Sequence, residues 1–235
     1  MADTVFVNFK GWPAGISGGA SNRETGMHFV AQEIAHRVPH GARLLDVGCA
    51  NGEFFDVLRS QNSTWQLFGN DPDPKWLQHD YGDAQVIHQP LRQCNFPDQS
   101  FDVVTVLDAL YYIPDPDLEI MEIARILKPG GIFIFDVIGQ TYLILRGWLG
   151  RMLNLERTHT FTAYPFYYSD YSLRLMLNRA MLMVDSTLPN QGIKPDGRIV
   201  RLAMAIYMLG LRALTLISPQ MRTLSPKNVY IAHRI

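Results

Sequence analysis

Apolar residues recur at helical spacing in "SNRETGMHFVAQEIAHRV", where Met27, Val30, Ile34 and Val38 would share one face of a helix. Ser21 and Glu24 stand at capping-box spacing at its start, and Pro39 closes it. The pattern then changes to short runs that are apolar almost throughout. "ARLLDVG", "WQLFGND", "AQVIHQ", "FDVVTVLDAL" and "IFIFDVIG" read as five strands, the longer ones apolar enough to lie inside a sheet. Helical patterns fall between most of them: "GEFFDVLRSQ", a short "PKWLQHD", and "DLEIMEIARIL", which "KPGG" stops. This alternation predicts a doubly wound α/β fold with a mostly parallel sheet. Ligands on such sheets sit at the carboxyl ends of the strands, near the point where strand order reverses.

Past Ile138 the alternation stops. "YLILRGWLGRMLNL" is apolar with Arg146 and Arg151 interleaved, and "TFTAYPFYYSDY" is an aromatic loop. "DYSLRLMLNRA" predicts a helix, and "MLMVDSTL" and "NVYIAHRI" predict two last strands, seven in all. Residues 139–168 and 188–227 are therefore insertions after strands five and six. Residues 199–217 are almost wholly apolar, and on a helix Arg201, Ala205, Met208, Arg212 and Thr215 form one stripe. Two arginines within the run count against a membrane span. A buried or dimer-forming helix, a lid over a greasy substrate, and a helix lying on a membrane surface remain open.

A chain of 235 residues is long enough for one large domain with a substantial core. Its 18% charged residues suit a globular enzyme. Two cysteines, Cys49 and Cys94, make a disulfide framework unlikely and favour a reducing, cytoplasmic setting. "MADTVFVNFKGWP" lacks the basic and apolar stretches of a secretion signal. The charge is uneven: −9 over residues 1–138 and +8 over residues 139–235. Either the basic part packs against the acidic part, or it faces a membrane or an anionic substrate.

The candidate chemistry begins at "LLDVGCANGEF", where a buried strand runs into small residues and then into a helix. A bare backbone there lets a nucleotide-like ligand approach closely. Alone this turn is a weak signal. Nicotinamide enzymes use a related one, but their third glycine would fall at Glu53. The later segments narrow the choice. In order over residues 40–138, "LLDVGCANGEF", "FGNDPDP", "FPDQSFDVVTVLDALYYIPDP" and "EIARILKPGGIFIFDV" resemble class I S-adenosylmethionine (SAM)-dependent methyltransferases, most of all the small-molecule group.

The resemblance implies SAM as cofactor, S-adenosylhomocysteine as product, and no metal. Asp46 would help fix the turn and the methionine end of SAM. Gly48, Cys49, Ala50 and Gly52 would offer backbone to its carboxylate and ribose. Asp71 would accept both ribose hydroxyls, and Pro72 would lie against the adenine. Leu107 and Asp108 end the fourth strand, where the family's backbone receives the SAM ammonium group. Two positions depart from the family: Ala50 stands where glycine is usual, and Pro90 stands where an acid often holds the adenine amino group. Backbone around Leu91, or Gln89, would have to replace that acid. His79 and His88 have no partner at metal spacing.

Methyl transfer from a sulfonium is an in-line displacement, and alignment of the reactants alone is worth about 7–11 kcal/mol. A general base helps only when the acceptor starts protonated. The acceptor pocket should form from Asp108, Tyr111 and Tyr112, with His159, Tyr164, Phe166 and Tyr167 from the first insertion. His159 and Asp108 are the candidate bases. Many aromatics suit a lipophilic or aromatic acceptor, methylated by preference at oxygen, and equally suit a packed lid. Two rival readings are a nucleic-acid methyltransferase and a non-catalytic partner subunit. Nucleic acid is disfavoured as a partner, since "LDALYY" lacks the Asn/Asp-Pro-Pro-aromatic phrase of base-modifying enzymes and the chain has no Lys/Arg-rich arm. A small-molecule acceptor, peripheral membrane contact and a homodimer are the expected partnerships.

Overall fold

The computed structural model describes residues 20–139, 168–189, 206, 207, 209–211, 213, 214, 225 and 227–235. The elements run α1 (Ala20–Ala35), β1 (Arg43–Val47), α2 (Glu53–Gln61), β2 (Gln66–Asn70), β3 (Gln85–Ile87), β4 (Phe101–Val106), α3 (Pro116–Ile126), β5 (Leu127–Ile138), α4 (Asp170–Arg179), β6 (Leu182–Pro189) and β7 (Lys227–Arg234). All seven strands form one sheet in the order β3-β2-β1-β4-β5-β7-β6. The pairs β1–β2, β1–β4, β2–β3 and β4–β5 are parallel, whereas β7 runs antiparallel to both β5 and β6. The sheet is thus mixed, and strand order reverses between β1 and β4.

Alternation along each strand builds two cores, one on each face. Leu45, Val104, Phe133, Phe135 and Tyr230 point to the face covered by α3 and α4, through Ile120, Ile123, Leu173 and Leu177. Leu44, Val103, Ile134, Val229 and Ile231 point to the other face, covered by Val30 and Ile34 of α1 and by Phe54, Phe55 and Leu58 of α2. Burial of each such large side chain contributes about 1.5–3 kcal/mol. Local chemistry sets the helix ends. Pro116 starts α3, with Asp117 and Glu119 in its first turn and Arg125 in its last, as the helix dipole favours. Ser169 caps α4, and its hydroxyl accepts the Ser172 amide.

Two elements differ from expectation. "PKWLQHD" folds only one 3-10 turn, Pro74–Trp76, and then opens into loop. Three residues are too few to build a helix that packs on its own. "KPGG" ends α3 but does not form a separate loop, because β5 already begins at Leu127. The β4–β5 pairing shifts register between Phe101 and Val103, and Gly130 takes φ 73° there. No helix among the described residues is long and apolar enough to cross a membrane. The second insertion is helical at residues 206–214 where it is described, with Leu211 buried and Ile206, Leu209 and Leu214 exposed.

Candidate active site

The carboxyl ends of β1, β2, β4 and β5 meet where strand order reverses. Asp46, in β1, sits in register with Thr105 of β4. The Thr105 hydroxyl donates to Asp46 Oδ1 at 2.6 Å, and the carboxyl group is buried. Burial pushes the Asp46 pKa up to about 7, and the nearby Asp71 and Asp136 charges add to the rise.

The turn that follows is left-handed three times: φ is 77° at Gly48, 48° at Ala50 and 74° at Gly52. At Gly48 the need for glycine is also steric, since a Cβ there would lie 2.7 Å from the Ala109 Cβ. The turn therefore touches the chain just past β4. A Cβ on Gly52 would lie 2.8 Å from the Tyr81 ring. Ala50 holds a conformation that costs an L-residue about 1–2 kcal/mol. Two bonds hold it there: its N–H donates to Asp71 Oδ2 at 2.9 Å, and its carbonyl accepts the Tyr81 hydroxyl at 2.8 Å.

The turn does not offer its amides as expected. The Gly48 and Cys49 N–H groups donate to the Asn70 carbonyl at 2.8 and 3.1 Å, and the Gly52 N–H donates to the Cys49 carbonyl at 2.8 Å. With the Ala50 amide on Asp71, all four are used within the protein. Three of them tie the turn to the end of β2 and the fourth closes the turn on itself, so these donors are not left for a ligand. The first turn of α2 carries no side-chain cap, and its Phe55 amide donates to the Gly52 carbonyl at 2.9 Å. The Cys49 side chain is a filler. Its Sγ occupies the space beside Gly69 and Phe55, and burial pushes its thiol pKa up.

Asp71 follows β2 and is buried. Its Oδ1 accepts the Asp73 amide at 2.9 Å and its Oδ2 the Ala50 amide. Burial outweighs these two bonds and raises its pKa. Each carboxylate oxygen keeps a further lone pair for a ligand hydroxyl. Pro72 is half-buried beside it. Leu91 is fully buried in the core, so only its backbone is left for a ligand. The Gln89 carbonyl is taken by the Asn70 side-chain amide at 3.1 Å. Asn70 Oδ1 and His88 Nδ1 are buried at the ends of β2 and β3 without a protein partner. A cradle that a Cβ would fill, a buried acid with spare lone pairs and two orphaned polar atoms along one edge fit a ligand of SAM's shape and polarity.

Asp108 lies just past β4 with φ 54°. Its N–H donates to Asp136 Oδ1 at 2.8 Å. Lys227 Nζ lies 2.7 Å from Asp108 Oδ1 and 2.7 Å from Asp136 Oδ2. Burial raises the Asp136 pKa to about 6, against the pull of Lys227. The Lys227 ammonium thus occupies the Asp108 carboxylate. Tyr111 corrects another expectation: it is fully buried in the core, and its hydroxyl accepts the Ile138 amide, so it does not line a pocket. Its run of apolar neighbours in "DALYYI" was a packing signal. Tyr112 is half-buried against the same core. His159, Tyr164, Phe166 and Tyr167 lie outside the described residues.

Residues 45–135 match the family described as "Methyltransferase domain". The matched segment takes in the glycine turn and the point where strand order reverses, and there the chain is similar to methyltransferases. Among curated relatives, the demethylmenaquinone methyltransferase of Bacillus licheniformis is 34% identical over 101 residues, which is 40% of this chain and 44% of that protein. The fatty-acid O-methyltransferase of Mycolicibacterium smegmatis is 25% identical over 57% of this chain and 52% of that protein. The chain thus spans about half the length of these relatives. The methyltransferase in a complex with a methyltransferase activator from Haloferax volcanii shares the fold, with a TM-score of 0.63 at 21% identity over 89% of this chain and 90% of that one.

Proposed function

We propose that this chain transfers a methyl group from SAM to a small, lipophilic or aromatic acceptor, by preference at oxygen. Asp71 carries the reading: a buried acid at the end of β2 that both shapes the glycine turn and keeps lone pairs for a ribose diol. Pro72 would cover the adenine, and Asn70 Oδ1 and His88 Nδ1, buried without hydrogen-bond partners, are the polar atoms that would replace the missing acid. The backbone at Leu107 and Asp108 would receive the ammonium group. When bound, SAM supplies a methyl carbon on a cationic sulfur. The protein then has to exclude water and hold the acceptor atom in line. Asp108 acts here through its backbone rather than as a base, because Lys227 occupies its carboxylate.

Two of the relatives, a demethylmenaquinone methyltransferase and a fatty-acid O-methyltransferase, support a lipophilic acceptor. The exposed Ile206, Leu209 and Leu214 support it too, as an apolar face from which such a molecule, or the membrane that carries it, is met. Calorimetric titration with S-adenosylhomocysteine, beside NAD, tests the cofactor. Micromolar binding is expected, with no binding of NAD. Asp71→Ala should weaken it by about 1–3 kcal/mol, because the ribose hydroxyls lose their acceptor. Unchanged affinity in that variant would misplace the ribose, and absent binding in the wild type would turn attention to the partner-subunit reading.

A further inference from the structure

Lys227 opens β7 directly after the second insertion and pairs with Ile138 of β5. Its side chain is 14% exposed, yet it carries a charge into a cluster with Asp136, which is 4% exposed. A buried ion pair adds little net stability, because desolvation of the ions offsets their attraction. An apolar residue would serve the start of β7 as well. What the cluster does provide is a single geometry. One oxygen of Asp136 accepts the Asp108 amide, the other holds the Lys227 ammonium, and Lys227 in turn holds the Asp108 carboxylate. Asp108 is gripped at both its amide and its side chain, in a left-handed conformation that few non-glycine residues adopt. The next residue, Ala109, packs against the Gly48 turn so closely that no Cβ would fit between them. The path of residues 107–109, beside the turn, is therefore set from β5 and β7.

We infer that Lys227 is a positioning residue for the amino-acid end of the cofactor: it clamps the Asp108 turn so that the backbone of Leu107 and Asp108 meets the cofactor ammonium group. This rests on the SAM reading proposed above. Lys227 itself touches no reacting atom. One ammonium among two carboxylates leaves the cluster a net negative charge, which favours a cation at this end of the site.

Lys227→Met keeps the length of the side chain and removes its charge. Two ligands separate the possible roles. S-adenosylhomocysteine carries the amino-acid end, whereas 5′-methylthioadenosine keeps the adenine, ribose and thioether without it. The variant should bind S-adenosylhomocysteine about tenfold to a hundredfold more weakly, the loss of one charge-assisted hydrogen bond. Its affinity for 5′-methylthioadenosine should equal that of the wild type. Equal weakening for both ligands would mean a general loss of the site and would overturn the inference. So would unchanged binding of S-adenosylhomocysteine in a folded variant. If the wild type binds neither ligand, the SAM reading falls and this one falls with it, a result distinct from the other two. Should circular dichroism show Lys227→Met unfolded, Asp108→Ala carries the test. Asp108 is 44% exposed, so its truncation breaks only the outer contact of the cluster. The same split between the two ligands is expected, and its absence overturns the inference.

Discussion

Asp46→Asn should make the protein less sensitive to pH, and the size of the effect follows from the burial of one carboxyl group. Burial lifts Asp46 from an ordinary carboxylate value to about 7, although Thr105 donates a hydrogen bond to it. An unfolded chain releases that proton near pH 4. Below about pH 4 both states are protonated, and Asp46 costs the fold nothing. From there to about pH 7 the unfolded state loses its proton first, so stability falls as pH rises. Above about pH 7 the fold holds a buried anion, and the full cost is about 4 kcal/mol. Asparagine keeps an acceptor for the Thr105 hydroxyl and has no proton to lose. The variant's advantage over the wild type should grow by about 2–3 kcal/mol between about pH 5 and pH 8. Urea denaturation at several pH values measures it. Glu119, with its pKa raised to about 7, also titrates in this range but is present in both proteins and cancels in the difference, whereas Asp136, raised to about 6, feels the charge of Asp46 and should titrate somewhat lower in the variant. A gap that stays constant with pH would refute the assignment of a buried, proton-holding Asp46. A cation bound beside Asp46 should draw its proton off. SAM binding near neutral pH should then release protons in the wild type and not in the variant, as calorimetry in buffers of different ionisation enthalpy would count.

Gly48→Ala should lose S-adenosylhomocysteine binding, since its Cβ would lie 2.7 Å from that of Ala109 at a φ of 77°. Adding Ala109→Gly should restore the space and part of the affinity, and full binding by the single variant would refute the close contact. In flotation with anionic vesicles, the protein should rise with the lipid at low salt and be released at high salt, as expected of an apolar face in a half of the chain whose net charge is +8. Failure to float would leave the exposed Ile206, Leu209 and Leu214 to a dimer or a lid, which sedimentation would then distinguish.

The sheet was legible because its strands are short apolar runs whose neighbouring residues face opposite covered sides. Leu44 and Leu45, or Val103 and Val104, belong to different cores, and no polar face was needed to read them. The cofactor edge was legible in part. The place of Asp71 followed from its position after a strand. Its hold on the Ala50 amide did not, because that bond joins residues 21 apart and depends on how β1 and β2 pair. The same pairing turns the Gly48 and Cys49 amides toward Asn70, so the direction of an amide was beyond any reading of the glycine pattern. Tyr111 shows the converse. Its position past the end of β4 suggested an open pocket, but the packing of α3, α4 and β5 decides which tyrosine of the pair turns inward.

Lys227 was the least readable of all. A lysine between proline and asparagine at the start of a strand is ordinarily a solvated end. Its partner Asp108 lies 119 residues away in the chain, across both insertions. Asp136 stands in the apolar run "IFIFDV", where an acid has no local partner, and this was the available sign that a cation must come from elsewhere. What brings the cation is the one strand that breaks the parallel pattern. Because β7 runs antiparallel to β5, its first residue, not its last, reaches the carboxyl edge of the sheet. A parallel seventh strand would place Arg234 there and leave Lys227 at the opposite edge. The reversed strand thus carries the residue that ends the second insertion to the residues that would hold the cofactor.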